Sequence, residues 1–226
     1  MGSSDNIDRN RLSKELLNWW AKNKRIFPWR ETRNLYNVLV SEVLLHRTKA
    51  KQVVSIYEEF VAKFPTIADL SNANLDEVTR LLLPLGLRWR VRLLHQMATL
   101  IVQEYKGKIP SSKKELESLP GISHYISSAV RCFAFGYPEP LLDANTVRIL
   151  GRIFGVQVTD GSRRKKSFQE LSQSILDRDN PRDFNYALID LGALICKPKK
   201  PLCPACPLNQ MCQLGSRITK HAVTYD

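Results

Sequence analysis

The sequence has no apolar run of about 18 residues or more, the least that a membrane-spanning helix needs. It also lacks a short apolar stretch leading to a small-residue cleavage site, the mark of a secretory signal. These two absences exclude the membrane-spanning and exported classes and set the expectation of a soluble, intracellular protein. No segment alternates polar and apolar residues at period two, so no half-buried strand is signalled. No internal repeat and no low-complexity linker is present. Acidic residues are in deficit: 22 Asp and Glu stand against 34 Lys and Arg, a formal charge of +12. That balance suits a polyanionic partner, although a basic charge alone suits a membrane surface or plain solubility equally. Cysteine is scarce before position 196, where Cys132 is the single case; it is expected to pack as a small hydrophobe.

What is present reads as helix. With 226 residues, 43% of them hydrophobic, the chain can bury one large core or two smaller ones. Apolar residues recur at helical spacing over 8–24, 35–47, a segment around Val53, Tyr57 and Phe60 ended by Pro65, then 75–83, 91–105, 113–119 and 124–135. Beyond these come 146–154, 166–178 and 184–196. The fold class is therefore all-α. The polar start, residues 1–6, carries no fold signal.

The stretch 119–155, LPGISHYISSAVRCFAFGYPEPLLDANTVRILGRIFG, organises the rest. Pro120 fixes φ and Gly121 can take φ > 0, so the pair makes a tight turn before a helix. Backbone N–H groups of such a turn can cradle an anion, though most Pro-Gly turns only connect helices. Tyr125, Ala129 and Phe133 fall on one stripe of the following helix. Asp143 precedes Ala144-Asn145-Thr146, where Asp commonly serves as an N-cap. A capping carboxylate keeps its charge, which also suits catalysis. Glu42 lies inside the apolar run VLVSEVLL, where an acid is costly unless it is paired or functional. Four of the five cysteines, Cys196, Cys203, Cys206 and Cys212, crowd the last 31 residues with the spacing C-x6-C-x2-C-x5-C. Such a group forms disulfides or holds a metal centre, and an intracellular setting disfavours disulfides. Zinc and iron–sulfur both accept four thiolates.

LPGISHY followed by LDANTVRILGR resembles the helix-hairpin-helix and aspartate signature of the endonuclease III superfamily of DNA glycosylases, which includes the mismatch adenine glycosylases. The likeness runs over nearly the whole chain. It implies a two-lobed fold: a six-helix lobe at about 28–138 that carries the hairpin, and an iron–sulfur lobe made of 1–27 and 139–226. The chain would cross between lobes at FPWRET, 27–32, with Tyr125 and Asp143 facing each other across a DNA cleft. The family usually has a second glycine where Ser123 stands. The cysteine spacing matches that family's [4Fe–4S] loop, so the resemblance makes Cys196, Cys203, Cys206 and Cys212 the ligands of a structural cluster. Lys197, Lys199 and Lys200 would then present a basic loop to phosphate. A monovalent cation at the hairpin belongs to the same set of expectations. The implied partner is double-stranded DNA with a mismatched or damaged base, bound by a monomer in the cytoplasm or nucleoid.

Within the superfamily, the residue that is lysine in the lyase branch is Tyr125 here. Tyrosine cannot form the imine that cuts the strand. Glu42 resembles the acid that the monofunctional branch carries, in thymine/uracil and adenine mismatch glycosylases alike, and the segment HRTKA is more similar to that of the thymine/uracil branch. Only 14 residues follow Cys212, too few for the domain with which adenine-type relatives read 8-oxoguanine. The resemblance thus implies a monofunctional glycosylase that hydrolyses thymine or uracil from pairs with guanine. The target base must be flipped out of the duplex first. Asp143 would stabilise the sugar cation and guide the attacking water. Tyr125, His46 and Arg47 would donate to the departing base, and Glu42 would bond its N3–H. Leu87 is expected as the wedge that fills the vacated stack, flanked by Arg88, and Arg47 as a second wedge or a reader of guanine's acceptor edge. Pro120, Gly121 and Ser123 would hold the phosphate backbone. Three other readings stay open: an adenine glycosylase lacking its extra domain, a lyase on oxidised pyrimidines, and a noncatalytic iron–sulfur DNA-binding protein.

Overall fold

The computed structural model describes residues 8–86 and 88–222. Among them the regular structure is helical, with no strand. In chain order the helices are α1 (Arg9–Asn23), α2 (Leu35–Leu45), α3 (Ala50–Lys63), α4 (Ile67–Asn72), α5 (Leu75–Leu82), α6 (Arg88–Tyr105), α7 (Lys113–Ser118), α8 (His124–Phe133), α9 (Ala144–Phe154), α10 (Lys166–Ile175), α11 (Pro181–Leu194) and α12 (Gln213–Ala222). None of the described helices is long and apolar enough to cross a membrane. The chain divides into two compact units, one made of residues 26–137 and the other of 1–25 with 138–226.

The 26–137 unit is built around α2. Every residue from Val38 to Leu44 is buried, so α2 is a central helix with no solvent face. Asn34 caps it by accepting from the Asn37 amide at 3.1 Å. Against it pack α3, through Val53, Tyr57 and Phe60, and α8, through Ile126, Ala129 and Phe133. Among the described residues this unit has seven α-helices, the six expected and α4 besides. The added helix is short and starts on a capping box: the Thr66 hydroxyl accepts from the Asp69 amide, and the Asp69 carboxylate accepts from the Thr66 amide.

The other unit gathers α1 and α9–α12 around Leu12, Leu16, Leu150, Phe154, Phe168, Phe184, Leu188 and Leu191. Asp190 is wholly buried on α11. Its carboxylate accepts from the Trp20 indole at 2.9 Å, the Arg25 amide at 3.0 Å and the Arg25 guanidinium at 2.6 Å. These bonds fasten the end of the first segment to α11. Asn185, also on α11, steers the loop that leads into α9. Its side-chain oxygen accepts from the Leu141 amide at 3.1 Å, and its NH₂ donates to the carbonyls of Glu139 at 3.0 Å and Pro181 at 2.8 Å. Because loop backbone buried at Leu141 has to be satisfied from within the protein, Asn185 fixes the path of the chain two residues before Asp143.

Candidate active site

The hairpin between α7 and α8 forms as its residues require. The Ile122 amide donates to the Leu119 carbonyl at 3.2 Å, closing a four-residue turn with Pro120 second and Gly121 third. Gly121 has φ 79°, the value that the third residue of a type II turn needs. A Cβ there would lie 3.2 Å from the Leu93 Cβ, so glycine also lets α6 approach. Ser123, where a second glycine was the family's habit, has φ −86° and ψ 165°. This extended backbone suits any residue. Ser123 instead caps α8, its hydroxyl accepting from the Ile126 amide at 3.3 Å. Glu117 on α7 joins the two helices of the hairpin by accepting from the Ser127 hydroxyl at 3.0 Å and from His124 Nδ1 at 2.9 Å.

Several of the expected residues meet at one small cavity of about 40 Å³, lined by His46, Arg90, Leu93, Pro120, Gly121 and Ser123 among others. It has room for a few waters. Glu42 and Tyr125 do not line it. Glu42 is 6% exposed within α2. Tyr125 stands in the first turn of α8 and is half-buried, unlike Ala129 and Phe133 on the same stripe, which are fully buried. Helix α2 stops at Leu45, two residues earlier than its periodicity suggested, and the chain turns at Arg47 with φ 62°. The Arg47 side chain is exposed. Gly86, with φ 68°, ends the turn before α6. Leu87, the expected wedge, lies outside the described residues, as does the side chain of Arg88, whose backbone opens α6. Arg90, in the same basic run, is buried.

In the other unit Asp143 is the N-cap of α9. Its Oδ1 accepts from the Thr146 amide at 2.7 Å and its Oδ2 from the Asn145 amide group at 2.9 Å. It is half-buried, so the capping role leaves part of the carboxylate accessible. The positive end of a helix dipole favours an anion at this position. The sequence reading missed the support behind it. Arg148, one turn on, donates to Asn145 Oδ1 at 2.8 Å, to the Gly192 carbonyl at 2.9 Å and to the Cys196 carbonyl at 2.8 Å. A Cβ on Gly192 would come within 2.6 Å of the Asn145 Cβ, so glycine there lets α11 reach the first turn of α9. The spacing D-x-N-x-x-R places these three side chains on one helix end, a pattern legible in the sequence only once α11 is known to lie against it.

The four C-terminal cysteines lie at one end of this unit. Arg152 on α9 donates to Cys196 Sγ at 3.2 Å and to the carbonyls of Lys197 and Pro198, both at 2.7 Å. Cys212 Sγ contacts the Arg152 carbonyl at 3.3 Å. Burial pushes the Cys206 thiol up to about 12, and Cys196, Cys212 and Cys203 all push it the same way, so the four sulfurs share one neighbourhood. Amides of Leu208, Leu214 and Gly215 donate to cysteine sulfur. The four thiols, with amide donors and Arg152 turned toward sulfur, make the donor set of a Cys₄ centre, which zinc and an iron–sulfur cluster both accept. The side chains of Lys197, Lys199 and Lys200 are exposed on the intervening loop, and so are Arg163, Arg164, Lys165 and Lys166.

Residues 40–175 match the family model described as HhH-GPD superfamily base excision DNA repair protein. The chain is 39% identical to the thymine-DNA glycosylase of Aeropyrum pernix, over 91% of this chain and 96% of that one. It is 34% identical to the thymine/uracil-DNA glycosylase of Methanothermobacter thermautotrophicus, over 94% and 96%. Among solved structures it is similar to a thermostable thymine-DNA glycosylase, with a TM-score of 0.85 at 33% identity, covering 92% of this chain and 97% of that one.

Proposed function

The chain belongs to the HhH-GPD superfamily of base excision DNA repair proteins, and from that premise we propose that it is a DNA glycosylase that hydrolyses thymine or uracil from pairs with guanine. The observation that carries the chemistry is Asp143: a half-buried carboxylate whose two oxygens are held by Thr146 and Asn145 at the head of α9. In the reaction the C1′–N1 bond of the flipped nucleotide breaks and its electron pair leaves with the base. Positive charge builds on the sugar, and the Asp143 carboxylate stabilises it. Water adds its oxygen to C1′ and loses a proton to Asp143 or to solvent. The pyrimidine departs as an anion spread over its carbonyl oxygens, toward which Tyr125, His46 and Arg47 direct donors, while Glu42 bonds N3–H. The hairpin turn at Pro120, Gly121 and Ser123 holds the phosphate backbone through its amides. Tyr125 supplies no amine, so the product is an intact strand with an abasic site.

A panel of duplexes carrying G:T, G:U or A paired with 8-oxoguanine, incubated with the enzyme and analysed with and without hot alkali, tests this reading. Cleavage is expected on G:T and G:U after alkali only, and borohydride should trap no covalent adduct. Activity confined to the adenine duplex, or a trapped adduct on any of them, would move the protein to another branch of the family.

Cys196, Cys203, Cys206 and Cys212 would hold a [4Fe–4S] cluster. When bound, it supplies a rigid cross-link for the C-terminal loop, and the exposed Lys197, Lys199 and Lys200 then face phosphate. Purified protein is expected to contain iron and acid-labile sulfide and to absorb broadly in the visible. Both should be lost in a Cys203→Ser variant. A colourless protein containing zinc would sink this assignment.

A further inference from the structure

The end of α2 is held by more than its own sequence supplies. Left-handed backbone at a helix end usually falls to glycine, because an L side chain there is strained. Arg47 adopts it, with φ 62°. The Thr48 amide closes the turn on the Leu45 carbonyl at 3.1 Å, and further support comes from the first turn of α6. Arg90 Nη1 donates to the His46 carbonyl and, at 3.5 Å, to the Val43 carbonyl. These acceptors sit at the C-terminal end of α2, where carbonyls are left over and the helix dipole favours a cation.

Arg90 is itself unusual. It is 6% exposed, and among the described residues no acid pairs with it. Its Nε is buried with no hydrogen-bond partner, and its guanidinium lies 4.9 Å from the ring of Trp89, which is 58% exposed. Burial, and then the charge of Arg47, lower its pKa. A buried cation without a carboxylate is poorer for stability than an apolar side chain of the same volume. What an apolar side chain could not do is grip two carbonyls at once.

We propose that Arg90 is a positioning residue that clamps the end of α2, holds the left-handed turn at Arg47, and thereby sets discrimination of the base opposite the excised one. The proposal rests on the reading above, in which Arg47 reads guanine. His46 and Arg47 leave α2 in the direction that this turn dictates, and Arg90 fixes the turn from beneath. With the clamp gone, Arg47 still carries its charge and still attracts DNA, but its guanidinium no longer meets guanine's acceptor edge at a fixed angle.

The test measures affinity for uncleavable duplexes bearing a tetrahydrofuran abasic analogue opposite G or opposite A. The proteins are the wild type, Arg90→Met, Arg47→Ala and the double variant. The wild type is expected to favour G. Arg90→Met should lower the G-over-A ratio on the order of tenfold, as Arg47→Ala does. The double variant should lose no more than Arg47→Ala alone, since both act through one contact. A purely structural role would lower both affinities together and leave the ratio intact, and that result, or additive losses in the double variant, overturns the proposal. If Arg90→Met does not fold, Arg90→Lys serves instead. It keeps the cation but not the planar guanidinium that sets Nη1 against both carbonyls and should lose the same ratio; an unchanged ratio overturns the proposal. Failure of the underlying reading looks different. A wild type that excises no pyrimidine from G:T or G:U duplexes removes the premise. One that excises both yet shows no preference for G leaves the glycosylase reading standing but removes the reading of guanine by Arg47, and with it the role of Arg90.

Discussion

Replacing Asp143 with asparagine is expected to lower the single-turnover rate of base excision about a thousandfold, ~4 kcal/mol of barrier, with affinity for DNA nearly unchanged. The substitution separates two jobs that one side chain performs. Asparagine is as good an N-cap as aspartate, so the oxygen that accepts from the Thr146 amide survives. The second oxygen, which accepts from Asn145, becomes an amide nitrogen, and losing that bond costs about 1 kcal/mol of stability. The negative charge disappears with it. If charge at this position stabilises the sugar cation, the rate falls while the fold and the complex persist. An excision rate within threefold of the wild type would reduce Asp143 to a helix cap. A protein that no longer bound the duplex would make the substitution uninformative about chemistry, and binding is therefore measured beside the rate.

The largest stability effect is expected at Asp190. Asp190→Ala removes a wholly buried carboxylate that accepts from Trp20 and twice from Arg25. Breaking a buried ion pair by deleting one partner costs about 3–5 kcal/mol. For a chain of this length each kcal/mol lowers the melting temperature by about 2–4 °C, so a fall on the order of 10 °C is expected by calorimetry. The loss arises mainly from what is left behind: an indole N–H, a backbone amide and a guanidinium that have lost the Asp190 carboxylate. Asp190→Asn keeps one acceptor oxygen and should lose about half as much. A drop of less than 2 °C for Asp190→Ala would mean that water replaces the carboxylate and that the first segment is fastened to α11 by its apolar residues alone.

The residues that could be read in advance share a property: each acts on its own neighbours along the chain. Pro120 and Gly121 make their turn wherever they occur, and the turn formed. Asp143 precedes a helix and caps it. Absence of period-two alternation excluded strands, and the described residues contain none. The misses have local reasons too. Helix α4 is only six residues long, less than two turns of periodicity, and its signal was the capping box at Thr66 and Asp69. Helix α11 begins at Pro181 rather than 184, because proline suits the first helical position. Helix α12 follows a cysteine-rich loop and carries few apolar residues, so its pattern was faint.

Other features depended on distant partners. The run LRWRVR offers three arginines and a tryptophan within five positions, and nothing in it says that Arg90 turns inward while Trp89 and Arg92 stay exposed. Nothing in LLHRTK marks Arg47 for a left-handed turn, since the usual glycine is missing. Asn145 and Arg148 could not be linked to Asp143 without the approach of Gly192, nor Asn185 to the loop before α9.

By itself, then, the sequence determined the helices, the hairpin turn, the capping aspartate and the set of four thiols, because spacing, φ preference and capping are satisfied within a few residues of chain. The tertiary structure alone decided which basic residue is buried, which carbonyls it grips and what stands behind the aspartate. Those outcomes depend on a hydrogen-bond partner 40 or more positions away, as Arg90 is from His46 and Arg148 from Cys196. A one-dimensional pattern carries no term for such a partner until the helices have packed.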